Sequence, residues 1–304
     1  METVTTPSQK QPETTRFDIH QHVTDIIIKQ LEEGTIPWQR PWKSTAASFK
    51  IPQNALKGVP YRGVNIVLLW GATLQKDYAS NEWATLKDWN KMGERIRKGE
   101  SGTTIVFYKD IEKEVDGEIV KIPCPKYSKV FNRAQLDSYQ PTPDTQLLPE
   151  KPLFDRLAHV EAFVDNTKAI IEYCPNEASY NRLTDKIKMP YPQTFIDQEH
   201  CSAQEGYYST LMHEMVHRSG HPSRLNREFG KKFGDKAYAV EELTAELGAA
   251  FLCAELEITT PARKDHAAYI ANWLTALRND KRFVFSAASA ASKAVDYYQS
   301  LQNK

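Results

Sequence analysis

The stretch His213-Glu214-Met215-Val216-His217 decides how this chain is interpreted, because it has the pattern H-E-x-x-H. On an α-helix, two histidines four residues apart lie on one face and can reach the same metal ion. The glutamate between them is then positioned to act on a water molecule bound to that ion. The stretch therefore predicts a helix that carries a metal and a general base.

The residues around this motif predict that its helix is half-buried. Leu211, Met212, Met215 and Val216 give the segment an apolar side, as expected for a helix packed against a core. Burying histidines and a glutamate without partners would be costly, and a metal ion would remove that cost. We expect the helix to end at Gly220, through a left-handed cap.

The third ligand must come from elsewhere, since a catalytic zinc ion takes three protein ligands and keeps one position open. One known spacing requires a histidine at position 223, but Ser223 stands there. His221, just past the helix, is a local candidate for ligation, and otherwise a helix-flanking or substrate-side residue. A second route uses a glutamate from a later helix.

The segment 240–251 is predicted to be that later helix. Its residues Glu242 and Glu246 share a face at i, i+4, beside small residues that allow close packing. We predict that Glu242 is the third ligand and that Glu246 orients a motif histidine through its other ring nitrogen. Glu241 remains an alternative to Glu242 as the ligand.

A site of this kind predicts hydrolysis of an amide bond. Glu214 would take a proton from the attacking water and give it to the leaving amine. We expect a nearby side chain to stabilise the developing oxyanion. The candidates for that role are Tyr207, Tyr208, His221 and Arg224. Zinc is the expected cofactor, although manganese or another divalent ion would also suit two histidines and a glutamate.

Composition places the chain among ordinary globular proteins. It has 304 residues, a formal net charge of +0, and four cysteines too far apart for a C-x-x-C zinc site. No apolar run is long enough to cross a bilayer, and residues 1–15 lack the apolar core of a signal peptide. We therefore predict a cytoplasmic protein with a disordered tail over 1–15 and no membrane partner.

Periodicity predicts an α+β protein with two domains, over 16–137 and 153–304. Residues 138–152 contain four prolines and are the best linker candidate. In the first domain we predict helices at 16–34, 63–78 and 84–92, and strands at 103–108, 118–122 and 130–131, with a turn at Asp116-Gly117. The second domain is predicted to be mainly helical, with helices at 156–171, 203–219, 235–257, 264–279 and 285–301 and an extended segment near 186–190.

The first domain combines aromatic and basic residues. Five of the six tryptophans lie in the first ninety residues, and the stretch 36–109 has twelve Lys and Arg against five Asp and Glu, an excess of seven positive charges. Aromatic rings stack on unpaired bases while Lys and Arg follow phosphates, so this pattern indicates single-stranded nucleic acid. The candidate DNA-binding residues are Trp38, Arg40, Trp42, Lys43, Tyr61, Arg62, Arg97 and Lys98.

Two other interpretations stay open at this point. The first domain could recognise protein, which would make the chain a metalloprotease without a DNA role. Alternatively, the metal could be structural and the chain a binding module without catalysis. Salt-sensitive binding of single-stranded DNA would argue against the first alternative, and loss of function in Glu214→Gln would argue against the second.

The chain resembles the ArdC-type antirestriction proteins of conjugative plasmids, over about residues 17–300. The first half carries the resemblance in Val23-Thr24-Asp25, Leu31-Glu32-Glu33-Gly34, Pro37-Trp38-x-x-Pro41-Trp42, Tyr61-Arg62-Gly63-Val64-Asn65, Arg97-Lys98-Gly99-Glu100 and Val130-Phe131-Asn132. The second half carries it in Tyr207-Tyr208-Ser209-Thr210, His213-Glu214-x-x-His217-x-x-Gly220-His221, Ser223-Arg224-Leu225-Asn226-Arg227, Tyr238-Ala239-x-Glu241-Glu242-Leu243 and Ala245-Glu246-Leu247. One departure is Arg218, where an aromatic residue is expected.

The resemblance implies what each half does. The first domain, which plasmid primases of the TraC type share, is expected to bind single-stranded DNA with little sequence preference. The second is expected to be a zincin-like metallopeptidase domain. The resemblance also implies protection of incoming plasmid DNA from host restriction. Besides single-stranded DNA, the expected partner is a protein substrate of the host restriction machinery.

Overall fold

A computed structural model describes residues 17–39, 50–115, 118–140, 153–175, 177–197, 201–230, 235–258 and 266–302. The helices are α1 (Ile19–Glu32), α2 (Val64–Lys76), α3 (Leu86–Lys91), α4 (Leu153–Asn166), α5 (Ala203–Ser219), α6 (Lys236–Glu255), α7 (His266–Asn279) and α8 (Phe283–Ser300). The strands are β1 (Gln53–Asn54), β2 (Glu82–Ala84), β3 (Thr103–Val115), β4 (Glu118–Asn132), β5 (Ile170–Tyr173), β6 (Ser179–Asn181) and β7 (Lys186–Met189). This is the α+β architecture that the sequence predicts.

The first half is built on a four-stranded sheet with the order β1-β2-β4-β3. β1 and β2 are parallel, and the other two pairs are antiparallel. β3 and β4 form a long hairpin that is paired from Thr103↔Val130 to Val115↔Glu118. α2 packs against β3, where the side chain of Asn65 hydrogen-bonds both backbone groups of Val106.

The second half is a helical bundle with a small sheet beside it. α6 packs against both α5 and α8, and the buried hydroxyl of Tyr298 on α8 donates to the Met215 carbonyl on α5. The three-stranded sheet has the order β5-β7-β6, in which β5 and β7 are parallel. β6 and β7 contact α5, so the sheet lies against the helix that carries the motif.

One hydrophobic core joins the two halves of the chain. Trp70 of α2 meets Phe251 of α6 edge to face at 5.6 Å between ring centroids, and Trp38 meets Trp273 of α7 in the same way at 5.4 Å. α1 also contacts α7, and α2 contacts α8. Residues 141–152, which are most of the proline-rich segment predicted as a linker, are outside the described residues.

Most helices begin and end close to their predicted bounds. The helix predicted at 156–171 is an exception, because α4 ends at Asn166 and residues 170–171 belong to β5. The other differences are in the strands. The residues 130–131, predicted as a separate strand, are part of β4. β3 is seven residues longer than predicted, because its charged outer half is held by pairing with β4. β1, β2, β5 and β6 are too short to give an alternating pattern and were not predicted. The predicted turn at 116–117 is outside the described residues.

Within the described part of the chain, no helix combines the length and the apolar character that a bilayer crossing requires.

Candidate metal centre

α5 presents the two motif histidines from one buried turn. The helix starts at a capping box, in which Ser202 accepts from the backbone of Glu205 while the Glu205 carboxylate accepts from the backbone of Ser202. Ten residues further on, His213 and His217 are only 6% and 9% exposed. Their Nε2 atoms lie 3.2 Å apart and face each other. The helix therefore delivers two nitrogen donors to one point.

α6 brings a carboxylate to the same point. The Glu242 oxygens lie 3.8 Å from His213 Nε2 and 3.7 Å from His217 Nε2. These donor atoms are all within 4.8 Å of one another. In a tetrahedral site with bonds of about 2.0–2.1 Å, two ligand atoms stand about 3.4 Å apart. The three side chains therefore fit one divalent ion closely, with shifts of a few tenths of an ångström.

The close contact of α5 with α6 explains why small residues follow Glu242. A Cβ atom on Gly248 would lie 2.8 Å from Cγ2 of Val216, which is closer than real side-chain atoms approach. Ala245 and Ala249 are buried along the same helix. Small side chains thus let the helices approach until the carboxylate of one meets the imidazoles of the other.

The second nitrogen of each histidine faces a different glutamate. Nδ1 of His213 lies 3.6 Å from the Glu246 carboxylate, the residue we predict to orient a motif histidine. Nδ1 of His217 lies 3.0 Å from Oε1 of Glu241 and is hydrogen-bonded to it. Glu241 therefore contacts the nitrogen that points away from Glu242, so it suits orientation of a ligand and not ligation. This position of Glu241 was not predicted.

Arg227 holds Glu241 in place, a role that the sequence analysis did not assign although Arg227 is in one of the blocks that carry the resemblance. Its guanidinium donates to both oxygens of Glu241, at 2.9 and 2.8 Å, and to the Ser219 hydroxyl at 2.7 Å.

Gly220 ends α5 with a φ of −80°, so the predicted left-handed cap is wrong. A Cβ atom at this position would lie 2.6 Å from the Phe229 ring and 2.9 Å from the Arg227 guanidinium, so glycine leaves room for both side chains where they now lie.

The centre has a surplus of negative charge. Glu214, Glu241, Glu242 and Glu246 are all on α5 or α6 around the two histidines, and Arg227 is paired with one of them, Glu241. Burial lowers the pKa of His217, but the hydrogen bond to Glu241 and the nearby carboxylates outweigh it and raise the pKa overall. Burial raises the pKa of Glu241, but the hydrogen bonds with Arg227 and His217 lower it by more, so the pKa is below its ordinary value. A buried surplus of carboxylates favours a divalent cation.

A cavity of about 380 Å³ opens beside Glu242, between α6, α7 and the start of α8. Trp273, Ala276 and Phe283 give it apolar walls, while Asn272 and the Lys236–Asp280 ion pair are among its polar groups. A cleft that combines apolar walls with polar groups, next to a carboxylate of the centre, is suited to holding part of a ligand.

The other candidate residues of this half have partners of their own. Tyr208 donates to Glu161 at 2.8 Å, and the Tyr207 and Tyr173 hydroxyls lie 3.3 Å apart. Arg224 is bonded to Asp185 and to the Tyr180 hydroxyl, so it fastens β6 and the following turn to the end of α5. His221 accepts from the Ser223 backbone at 3.2 Å and is not a member of the three-residue group.

Two of the candidate DNA-binding residues that the structure describes have a place in the fold. Trp38 is 2% exposed and packs on Trp273, so its ring belongs to the core and cannot stack on a base in this conformation. Arg97 donates to the carbonyls of Leu136 and Ala134, at 2.9 and 2.6 Å, and so has a structural role.

Three further candidates are described and three are not. The half-buried Tyr61 donates to the Trp83 carbonyl at 3.4 Å, and Arg62 is exposed and paired with Asp296 of α8. Lys98 is exposed. Arg40, Trp42 and Lys43 lie outside the described residues.

The fold and the centre define a protein with a metallopeptidase-like second half, and comparison with known proteins agrees. Two family models match the chain: the N-terminal domain of anti-restriction factor ArdC over residues 17–132, and a zincin-like metallopeptidase over 158–290. The crystal structure of antirestriction ArdC protein from the R388 plasmid, in its metal-free form, is 40% identical with a TM-score of 0.75 and covers 94% of this chain and 98% of that one. The Mn(II)-bound form is 39% identical with the same TM-score, covering 95% and 99%.

Relatives of the chain by sequence include the following two proteins. The y4eC protein of Sinorhizobium fredii (strain NBRC 101917 / NGR234) is 36% identical over 298 residues, which is 95% of this chain and 94% of that protein. DNA primase TraC of Escherichia coli is 31% identical over 305 residues, or 94% of this chain but 27% of the primase. The chain belongs to the ArdC-type antirestriction family, as its sequence blocks predict.

Proposed function

We propose that this protein helps plasmid DNA to escape host restriction, that it binds single-stranded DNA, and that it carries a metal-dependent peptidase centre. Membership of the ArdC-type family supports the first part, since the match to the R388 protein extends over nearly all of both chains. The peptidase part rests on one observation, the meeting of His213, His217 and Glu242 beside the motif residue Glu214.

His213, His217 and Glu242 would hold the metal ion, with one nitrogen or oxygen each. A bound divalent ion supplies Lewis acidity that lowers the pKa of a coordinated water towards neutrality. Zinc and manganese both accept this donor set, and the relative from R388 has been solved with Mn(II). The surplus of buried carboxylates around the two histidines gives independent support for a divalent ion.

Each remaining residue of the centre has a task that follows from its position. Glu214 is the general base that receives the proton of the attacking water and passes it to the leaving nitrogen. Glu241 and Glu246 fix the ring orientation of His217 and His213 through the outward-facing Nδ1 atoms. The cavity beside Glu242 would hold an apolar part of the substrate.

Binding of single-stranded DNA is supported by composition and by the relatives. Residues 36–109 carry an excess of seven positive charges in a protein of no net charge. One relative is named a DNA primase, and its matched part spans nearly this whole chain. The alternative is a metalloprotease without a DNA role, whose first domain recognises protein. It predicts that this protein binding changes neither with salt concentration nor with added DNA.

The decisive experiment transfers an unmodified plasmid into a restricting host in the presence of the wild type or of Glu214→Gln. The substitution keeps the size of the side chain and all three metal-holding residues, so metal content should be unchanged while protection and any peptidase activity are lost. Glu172→Gln, which alters an exposed ion pair with Lys186 on the small sheet, is the matched control and should protect fully. Full protection by Glu214→Gln, combined with loss in His213→Ala, would mean that the metal is structural.

A further inference from the structure

The β3–β4 hairpin reaches beyond the body of the protein, and its two faces differ in charge. From Phe107 outward, every described side chain of β3 is exposed. Residues opposite each other in an antiparallel pair share a face, and successive residues alternate between faces. The register of β3 with β4 therefore assigns each exposed side chain to one of two faces.

One face, called here the basic face, has lysines among apolar side chains. Three lysines share it with an aromatic ring, three aliphatic residues and a thiol, and a carboxylate is found only at its tip, where Glu118 pairs with Val115. Its members are Phe107, Lys109, Ile111 and Lys113 of β3 and Val120, Ile122, Cys124 and Lys126 of β4.

The opposite face has the reverse character. It carries three carboxylates, Asp110, Glu112 and Glu114, against the single outer lysine Lys121. Nearer the body, Tyr108 and Tyr127 lie on this side and contact the beginning of α1, through His20 and Phe17. The protein itself therefore partly covers the acidic face and leaves the basic face open.

The lysines of the basic face are available to a ligand. Within the described residues, Lys109, Lys113 and Lys126 form no ion pair, although exposed lysines elsewhere in the chain do. Lys109 and Lys113 are four residues apart along β3, which is about 13 Å. Lys126 lies opposite Phe107 and extends the row to about 20 Å in total. The row is long enough to follow several phosphates of an extended strand.

We propose that the basic face of the hairpin is the surface that single-stranded DNA follows. Phosphates would contact Lys109, Lys113 and Lys126, and bases would lie on Phe107 and on the aliphatic side chains between the lysines. The exposed apolar groups argue for a single strand, because a duplex keeps its base faces stacked inside and offers mainly phosphates. This inference rests on the proposed DNA binding and assigns it to a place that the candidate residues from the sequence do not cover.

The test compares two triple variants with equal charge change. One replaces Lys109, Lys113 and Lys126 with glutamine, and the matched control replaces the exposed Lys29, Lys121 and Lys293, of which Lys121 is on the acidic face. Binding to a labelled oligothymidylate is measured by fluorescence anisotropy over a series of salt concentrations. Far-ultraviolet circular dichroism and the thermal midpoint verify that all three proteins are folded.

Loss of the basic-face lysines should weaken binding by between about tenfold and a hundredfold near 0.1 M salt, and should flatten the slope of log Kobs against log salt by about 2. The control should change the slope by less than about half that amount. Equal affinities for both variants, or equal competition by duplex DNA in the wild type, would overturn the assignment. If the wild type itself shows no salt-sensitive binding, the proposed DNA function fails and this surface fails with it.

Discussion

Replacing Arg227 with methionine should destabilise the protein far more than removal of an exposed arginine. The Arg227 and Glu241 side chains are 11% and 5% exposed, so the substitution would leave a carboxylate buried without its cation. Removing one partner of a buried pair costs about 3–5 kcal/mol. Methionine keeps much of the apolar length, and proton uptake by His217 would offset part of the charge, so we expect a value near the lower end of that range.

Arg62→Met is the matched control, because it also removes an arginine from a pair with a carboxylate. The Arg62 and Asp296 side chains are 58% and 51% exposed. Pairs of this kind contribute about 0–1 kcal/mol, since water screens the charges and two flexible side chains must be ordered. The contrast between the two variants therefore isolates burial as the cause.

Urea unfolding followed by circular dichroism would measure both free energies. The protein should first be treated with a chelator, because an ion that binds only the folded state adds stability of its own. The slope m should stay constant while the midpoint falls. If Arg227→Met costs less than about 1 kcal/mol, or no more than the control, Arg227 and Glu241 do not act as a buried ion pair.

Three further predictions concern packing, metal and pH. Gly248→Ala should cost about 1–3 kcal/mol in urea unfolding, because its methyl group would lie 2.8 Å from a valine of α5. In the control Gly206→Ala, also in a helix, the nearest atom would be 3.7 Å away, so that change should be neutral or stabilising. Equal costs would contradict the packing argument. Zinc or manganese should raise the thermal midpoint of the wild type by several degrees but not that of Glu242→Ala, and an equal rise in both would exclude this ligand. Arg224 lowers the pKa of Asp185 to about 2, so the pair's contribution is present above the ordinary value near 4 and lost as pH falls towards 2. Asp185→Asn should therefore lower the free energy of unfolding by about 1 kcal/mol at neutral pH. In acid unfolding, the difference from the wild type should disappear below about pH 2. A difference that persists there would refute the ionic cause.

Helical periodicity predicted which residues of each helix lie together at the centre. Residues four apart on one helix face must lie together, so His213 with His217 and Glu242 with Glu246 followed from spacing once two helices were recognised. The structure brings the first three together, and their binding of a metal stays a prediction. Spacing could not assign Glu241, because its direction depends on how far α6 is rotated against α5. The close approach at Gly248 sets that rotation.

Composition was a weaker guide in the first half, because it does not distinguish buried aromatic and basic residues from exposed ones. Trp38 stands in a proline-rich, basic segment and is nevertheless enclosed by Trp273 of a helix more than two hundred residues away. Arg97 has the charge expected of a phosphate ligand but binds backbone carbonyls. The prediction for the outer half of β3 was wrong for a different reason, since the sequence there does not indicate a strand. Its run of alternating charges has low strand propensity, and pairing with β4 forms the strand regardless.

The predicted domains separate the sequence motifs but not the hydrophobic core. Trp273 has one contact with Trp38 of the first half and also lines the cavity beside Glu242 in the second. Trp70 contacts Phe251 of α6, which follows the glutamates along that helix. We therefore expect packing changes at Trp38 or Trp70 to reach α6 and this cavity, because dense cores transmit small displacements. Because the two halves share side-chain contacts beside the candidate metal centre, the proposed DNA binding would have a physical route to that centre, which two independent cores would not provide.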